Sequence, residues 1–166
     1  VTEFRRVLFR SGGFGKRLHP LTIDTPKPLL KVAGKAILEN IIEQFICYGF
    51  HNFYISTHFK AEQIRAHFEN TELRDKNINY VHEDVPLGTA GSLGLLPANL
   101  PDLPIIVMNG DLLTKVNFLN LLDFHTAHDF EATMCVREYD FQVPYGVVEI
   151  EDYNIKKITE KPVHSF

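Results

Sequence analysis

No apolar run in the 166 residues approaches the roughly 20 that a membrane-spanning helix needs. The N-terminus carries arginines and a brief Val7-Leu8-Phe9, but not the roughly 7–15 apolar residues of a signal-peptide core. There are only two cysteines, Cys47 in FICYGF and Cys135 in ATMCVRE. Their apolar neighbours predict small buried side chains, not a disulfide or a metal pair, which fits a reducing cytoplasm. Basic excess is missing too: net charge is −4, with acids and bases scattered, so a nucleic-acid partner is not indicated. Internal repeats and low-complexity tracts are absent. So are HExxH spacing, a G-x-S-x-G nucleophile turn, a Walker loop and G-x-G-x-x-G. Eight histidines show no metal-ligand spacing, and His125 and His128 are expected on a surface or in packing.

What remains is an ordinary globular composition, 45% hydrophobic and 23% charged. The length suits one domain with a real core. Periodicity alternates between strand and helix. Residues 36–48 place Ile37, Ile41, Phe45 and Tyr48 at helical spacing, with Gly49 as the stop. FYIST, 53–57, predicts a strand, and 61–69 a polar helix with Ile64 and Phe68 on one side. NINYVHE, 77–83, is a second strand. PIIVM, 104–108, is continuously apolar and suits a parallel strand covered on both faces. Residues 116–128 predict a helix with Phe118, Leu121, Leu122 and His125 along one side. EATMCVRE, YGVVEIE and NIKKITE predict further strands. The alternation implies α/β architecture with a mostly parallel sheet.

Ligands of open α/β sheets bind at the carboxyl ends of strands, so the segment after each strand matters. After the first comes Ser11-Gly12-Gly13-Phe14-Gly15-Lys16-Arg17. Its glycines permit close backbone approach, and Lys16 and Arg17 add charge for phosphate. In TPKPLL, Pro26 and Pro28 bracket Lys27 on what should be a stiff, non-helical segment. In PLGTAGSL, Gly88 and Gly91 flank Thr89 and Ala90, leaving room for a flat ring. Asp111, in MNGDLL, follows the most apolar strand and offers a hard oxygen donor suited to Mg²⁺. Gly146 opens a late strand, and Glu160-Lys161-Pro162 closes the chain's last motif.

In combination, GGFGKRLHPLT, PKPLL, LGTAG, NGD, YG and EKP, in this order over roughly residues 12–162, resemble the sugar-1-phosphate nucleotidyltransferases. The resemblance implies a Rossmann-like three-layer α/β/α sandwich with a mostly parallel mixed sheet, incomplete at the C-terminus. It implies Mg²⁺-assisted transfer of a nucleotidyl group from a nucleoside triphosphate to a sugar 1-phosphate. By that resemblance Gly12, Gly13 and Gly15 line the nucleotide, with Arg17 on the triphosphate and Lys27 on phosphate near the reacting centre. Glu83, Gly88 and Thr89 face the base, and Asp111 holds the metal. Gly146 and Glu160 meet the sugar, and Lys161 meets its phosphate. PLGTAGSL and PYGVVEI look most like the mannose-1-phosphate guanylyltransferase branch, which favours GTP and a mannose- or heptose-like 1-phosphate. A thymidylyl- or uridylyltransferase, an inactive nucleotide-sugar-sensing homologue and a generic nucleotide-binding module are the alternatives. A homo-oligomer of the full-length protein is also expected.

Two departures from the family pattern stand out. The family continues past EKP into strands that supply a second metal-binding Asp, so residues 1–166 alone are expected to be weakly active or inactive. At the other end, Phe9-Arg10-Ser11 stands where the family has small apolar residues. EFRRVLFRS is one reading frame of a common sequencing-adapter string, so residues 1–11 are expected to be adapter-derived and 12–166 to be the catalytic portion.

Overall fold

A computed structural model describes residues 5–11, 13 and 15–166. It divides into two compact units, Val1–Asp129 and Phe130–Phe166.

In the first unit the elements run β1 (Arg6–Arg10), β2 (Lys31–Val32), β3 (Lys35–Ala36), α1 (Ile37–Cys47), β4 (Asn52–Thr57), α2 (Ala61–Glu69), β5 (Asn77–His82), β6 (Ile105–Asn109) and α3 (Phe118–Ala127). Four strands form one parallel sheet in the order β5-β4-β1-β6. Strands β2 and β3 form a small antiparallel pair before α1.

Period-2 alternation divides the sheet's side chains between two clusters. Val7 and Phe9, Phe53 and Ile55, and Met108 pack with Leu38, Ile41, Ile42 and Phe45 of α1, Ile64 and Phe68 of α2, and Phe118 of α3. Leu8, Tyr54 and Val81 face the other way and meet Leu96, Leu100 and Ile105. The chain moves from β1 to β4 to β5 in one direction and then returns past β1 to β6. Right-handed crossovers therefore put the connections through α1 and α2 on one face and the 83–104 return on the other. That return holds one 3₁₀ turn, Gly91–Leu95, in place of a helix. The third layer of the sandwich is thus present but thin.

Local chemistry sets the boundaries. At the end of α1, Gly49 has φ +79°, its N–H donates to Ile46 O at 2.8 Å, and Phe50 N–H donates to Phe45 O at 3.0 Å. This six-to-one bond with a left-handed glycine closes the last carbonyls, and the Phe50 ring seats edge-on against Phe45 at 5.1 Å. At the start of α3, Asn117 Oδ1 accepts from the N–H groups of Leu119 and Asn120 at 3.0 and 3.1 Å.

Four expectations need correction, the last of them in the second unit. Val107 is 40% exposed, because β6 lies at the end of the described sheet order and is not covered on both faces. Cys47 and Cys135 are exposed: Cys47 lies outside the buried stripe of α1, and Cys135 belongs to a segment with no packed element over it. Lys27 is not on a non-helical segment. Residues Lys27–Leu29 make a single 3₁₀ turn, because a proline's fixed φ is compatible with the first turn of a helix and Leu29 N–H can reach Pro26 O at 2.9 Å.

The second unit holds two antiparallel pairs: β7 (Asp140–Gln142) with β10 (Val163–Ser165), and β8 (Val147–Glu151) with β9 (Asn154–Thr159). Residues 131–138, expected as a strand, form no regular element, and no strand of this unit pairs with them. Met134 and Val136 are 82% and 83% exposed, so neither is packed.

Among the described residues no helix is long and apolar enough to cross a membrane.

Candidate active site

The strand order reverses between β1 and β6, since the chain leaves β1 on one side and returns on the other. In an open parallel sheet the carboxyl ends of two such strands part to leave a crevice. A cavity of about 590 Å³ lies there, lined by Arg10, Ser11, Gly13, Gly15, Arg17, Leu18, Lys27, Pro28, Asn109 and Asp111. Five residues anticipated from sequence meet in it: Gly13, Gly15, Arg17, Lys27 and Asp111.

Each is placed by a simple local cause. Gly15 has φ +63°, and a methyl there would come within 3.0 Å of the Thr22 methyl. Its carbonyl accepts from Leu18 N–H at 2.9 Å and from the Thr22 hydroxyl at 2.8 Å. Thr22 is 1% exposed and buttresses the loop from beneath. Gly110 N–H donates to Arg10 O at 2.8 Å, continuing the β1–β6 ladder and bringing Asp111 to the crevice. A methyl on Gly110 would lie 3.3 Å from that carbonyl. Lys27, on its 3₁₀ turn, reaches across so that Nζ is 2.5 Å from Asp111 Oδ2; the two side chains are 35% and 28% exposed.

The donor set fits a Mg²⁺ ion that keeps most of its shell for phosphate and water. Asp111 presents a partly exposed carboxylate to the cavity. No group of three or more His, Cys, Asp or Glu side chains that could hold a metal by themselves occurs among the described residues.

Other anticipated residues lie elsewhere. Glu83, just past the end of β5, is 3% exposed. One carboxylate oxygen accepts from the Ser56 hydroxyl and the other from Leu87 N–H at 3.0 Å, so both are occupied by protein donors. Gly88 and Thr89 are exposed on the following loop and do not line the crevice; Gly88 has φ +79° and open space beside it. In the second unit, a methyl on Gly146 would come within 3.0 Å of Glu160 Oε2, so the glycine admits that carboxylate. Lys161 has φ +46°, and its carbonyl accepts from Gln142 Nε2 at 3.4 Å. Gly12 and the side chain of Lys16 lie outside the described residues.

Sequence reasoning passed over Asn109, Thr22 and the lining role of Arg10. Asn109 stands two residues before Asp111 and Thr22 ends GGFGKRLHPLT, so both were within the motifs, with no chemical signal of their own. Arg10 reads from sequence only as out of place in a strand.

The nucleotidyl transferase family profile matches residues 7–165. The mannose-1-phosphate guanylyltransferase catalytic subunit beta of Dictyostelium discoideum is 37% identical over 161 residues, covering 95% of this chain and 45% of that protein. The chain thus spans about half the length of the curated relatives it matches. Among solved structures, HddC from Yersinia pseudotuberculosis superposes with a TM-score of 0.69 at 24% identity, over 98% of this chain and 71% of that one. UDP-glucose pyrophosphorylase complexed with UDP-glucose gives 0.64 at 17% identity, over 96% and 69%. At these identities the structural likeness speaks for the fold: a parallel central sheet with helices, as in nucleotide-diphospho-sugar transferases.

Proposed function

We propose, from the premise that this chain belongs to the nucleotidyl transferase family, that its parent protein transfers a nucleotidyl group from GTP to a mannose- or heptose-like sugar 1-phosphate. The observation that carries this reading is the crevice at the β1–β6 divide, where the backbone of Gly13 and Gly15 meets Arg17, Lys27 and Asp111. That is a set for holding and neutralising phosphates. The guanylyl and mannose assignments draw on the likeness to the guanylyltransferase of Dictyostelium discoideum.

In the proposed reaction a phosphate oxygen of the sugar 1-phosphate attacks the α-phosphorus. The bond from that phosphorus to the oxygen bridging to the β-phosphorus breaks, and pyrophosphate leaves with the electron pair. Catalysis is then positioning and charge stabilisation. Gly13 and Gly15 bring the backbone close to the triphosphate, and Arg17 neutralises the leaving pyrophosphate. Lys27 sits on phosphate near the reacting centre. Asp111 would hold Mg²⁺, which supplies Lewis-acid neutralisation of phosphate oxygens. Gly88 and Thr89 approach the base. Gly146 and Glu160 accept the sugar, and Lys161 pairs with its phosphate.

The test is pyrophosphate release by the full-length protein with mannose 1-phosphate and each of GTP, ATP, UTP and dTTP. Release with GTP is expected to exceed the others. Release only with UTP or dTTP overturns the guanylyl assignment, and release with no triphosphate overturns the enzyme reading in favour of an inactive homologue. Release that ignores the sugar phosphate leaves only a nucleotide-binding module.

A further inference from the structure

Buried hydrogen bonds tie the ends of β1, β4 and β5 together, and no role assigned above uses them. Ser11 donates to the carbonyl of Ser56 twice, through its N–H at 3.1 Å and through its hydroxyl. The Ser56 hydroxyl donates to Glu83 Oε1. Glu83 Oε2 accepts from Leu87 N–H at 3.0 Å. The backbone of Glu83 is fixed as well: its N–H donates to Thr57 O at 2.8 Å, and its carbonyl lies 2.7 Å from His58 Nδ1. Ser11, Ser56 and Glu83 are 4%, 0% and 3% exposed.

A buried carboxylate is costly unless its lone pairs are met, and these are met by groups from two different segments. One partner belongs to β4, whose end also holds Ser11, the residue entering the phosphate loop. The other is Leu87, which enters the loop carrying Gly88 and Thr89. That loop has little else to hold it, since residues 84–91 are all exposed.

We propose that the main-chain N–H at position 11, Ser56, Glu83 and Leu87 form a positioning relay that fixes the spacing between the phosphate loop and the base loop. It rests on the nucleotide reading given above. Ser56 and Glu83 act through Leu87 and do not touch the reacting atoms. Without the Ser56 hydroxyl, Glu83 loses a donor it cannot replace from solvent, and the carboxylate is pulled away from Leu87.

The test measures amide hydrogen exchange and kinetics on the full-length protein carrying Ser56→Ala or Glu83→Gln. In Ser56→Ala, Leu87 N–H is expected to exchange about tenfold faster, the scale of losing one charge-assisted hydrogen bond, while the α1 amide of Phe45 keeps its protection. The KM for GTP should rise about fivefold and that for mannose 1-phosphate stay within about twofold, a split that general destabilisation would not give. Glu83→Gln should keep Leu87 protected, because its amide oxygen can accept from Leu87 and its NH₂ can donate to Ser56 Oγ. Unchanged Leu87 exchange in Ser56→Ala overturns the proposal. So does loss of protection in Glu83→Gln, or a rise in both KM values together. If the wild-type protein releases pyrophosphate with no triphosphate, the functional reading fails, and Leu87 exchange still decides whether the relay positions the loop.

Discussion

Lys27 Nζ sits 2.5 Å from Asp111 Oδ2, so the crevice's lysine and its carboxylate satisfy each other across the space between an early 3₁₀ turn and the end of β6. Both side chains are about a third exposed, and a pair this wet contributes little to stability. Asp111→Asn is therefore expected to leave the thermal midpoint nearly unchanged. Turnover should fall at least about a hundredfold, in the range seen when one charge-stabilising group is removed. Denaturation and pyrophosphate release on the same preparation check this. Unchanged turnover would remove Asp111 from the metal role.

Gly15 is constrained twice, by φ +63° and by the Thr22 side chain against its α-carbon. Gly15→Ala should cost about 1 kcal/mol or more from the left-handed backbone alone, and should weaken triphosphate binding by moving the loop. Thr22→Val removes only the hydroxyl bond to Gly15 O and should give a smaller loss of affinity. Titration calorimetry with a non-hydrolysable GTP analogue would rank the two, and the reverse order would show that Thr22 is the stronger determinant.

The helices on the main core face were legible because apolar residues recur there near the 3.6-residue period, with Ile41 and Phe45 of α1, Ile64 and Phe68 of α2 and Phe118 of α3 buried. Phe45 is stacked on Phe118 at 3.8 Å between centroids and meets Phe9 and Phe50 edge-on at 5.5 and 5.1 Å. Phe45→Ala should cost about 3–5 kcal/mol, read from urea denaturation. A loss below about 1 kcal/mol would mean the surrounding rings collapse into the space. By contrast, EATMCVRE has strand composition without a strand, since alternation proposes a face but only a paired neighbour makes a ladder. The crevice was half legible in the same way. Glycine, lysine and aspartate carry chemical signals at their positions, but that β1 and β6 lie side by side is a fact of topology. The burial of Glu83 between Ser56 and Leu87 likewise has no trace in residue type.

Tyr80 tests the sheet edge through pH. Burial, reinforced by the charge of Glu69, raises its pKa above the ordinary 10.0, with Arg65 opposing. A raised folded-state pKa means the folded form holds the proton more tightly. The stability this gives is complete below pH 10 and is lost as pH climbs through the folded-state value. Tyr80→Phe should flatten the alkaline fall in the urea midpoint above pH 10 relative to wild type. Parallel curves would mean the phenol ionises as freely in the fold as outside it.

Arg6 is an awkward tenant of the central strand. It is 6% exposed, its Nη2 donates to Pro101 O and Leu103 O at 2.7 Å each, and its Nε is buried without a partner. Those carbonyls belong to exposed residues that can turn to water, so Arg6→Met should hold or raise the thermal midpoint. A fall of several degrees would show that the two hydrogen bonds outweigh the cost of burial. The same position bears on our proposal that residues 1–11 are adapter-derived. The source locus should encode different codons before Gly12, and identical ones would refute it.

The return of the chain past β1 to β6 has a kinetic consequence. Arg6 pairs with Ile105, a far longer closure than the pairing of β1 with β4 or β4 with β5, and distant closures form slowly. The crevice is complete only once β1 and β6 are paired, since residues at both strand ends line it. A triphosphate spanning both strand ends would clasp that seam and add to the stability of the folded state by mass action. Bound triphosphate would then serve this chain as a fastener.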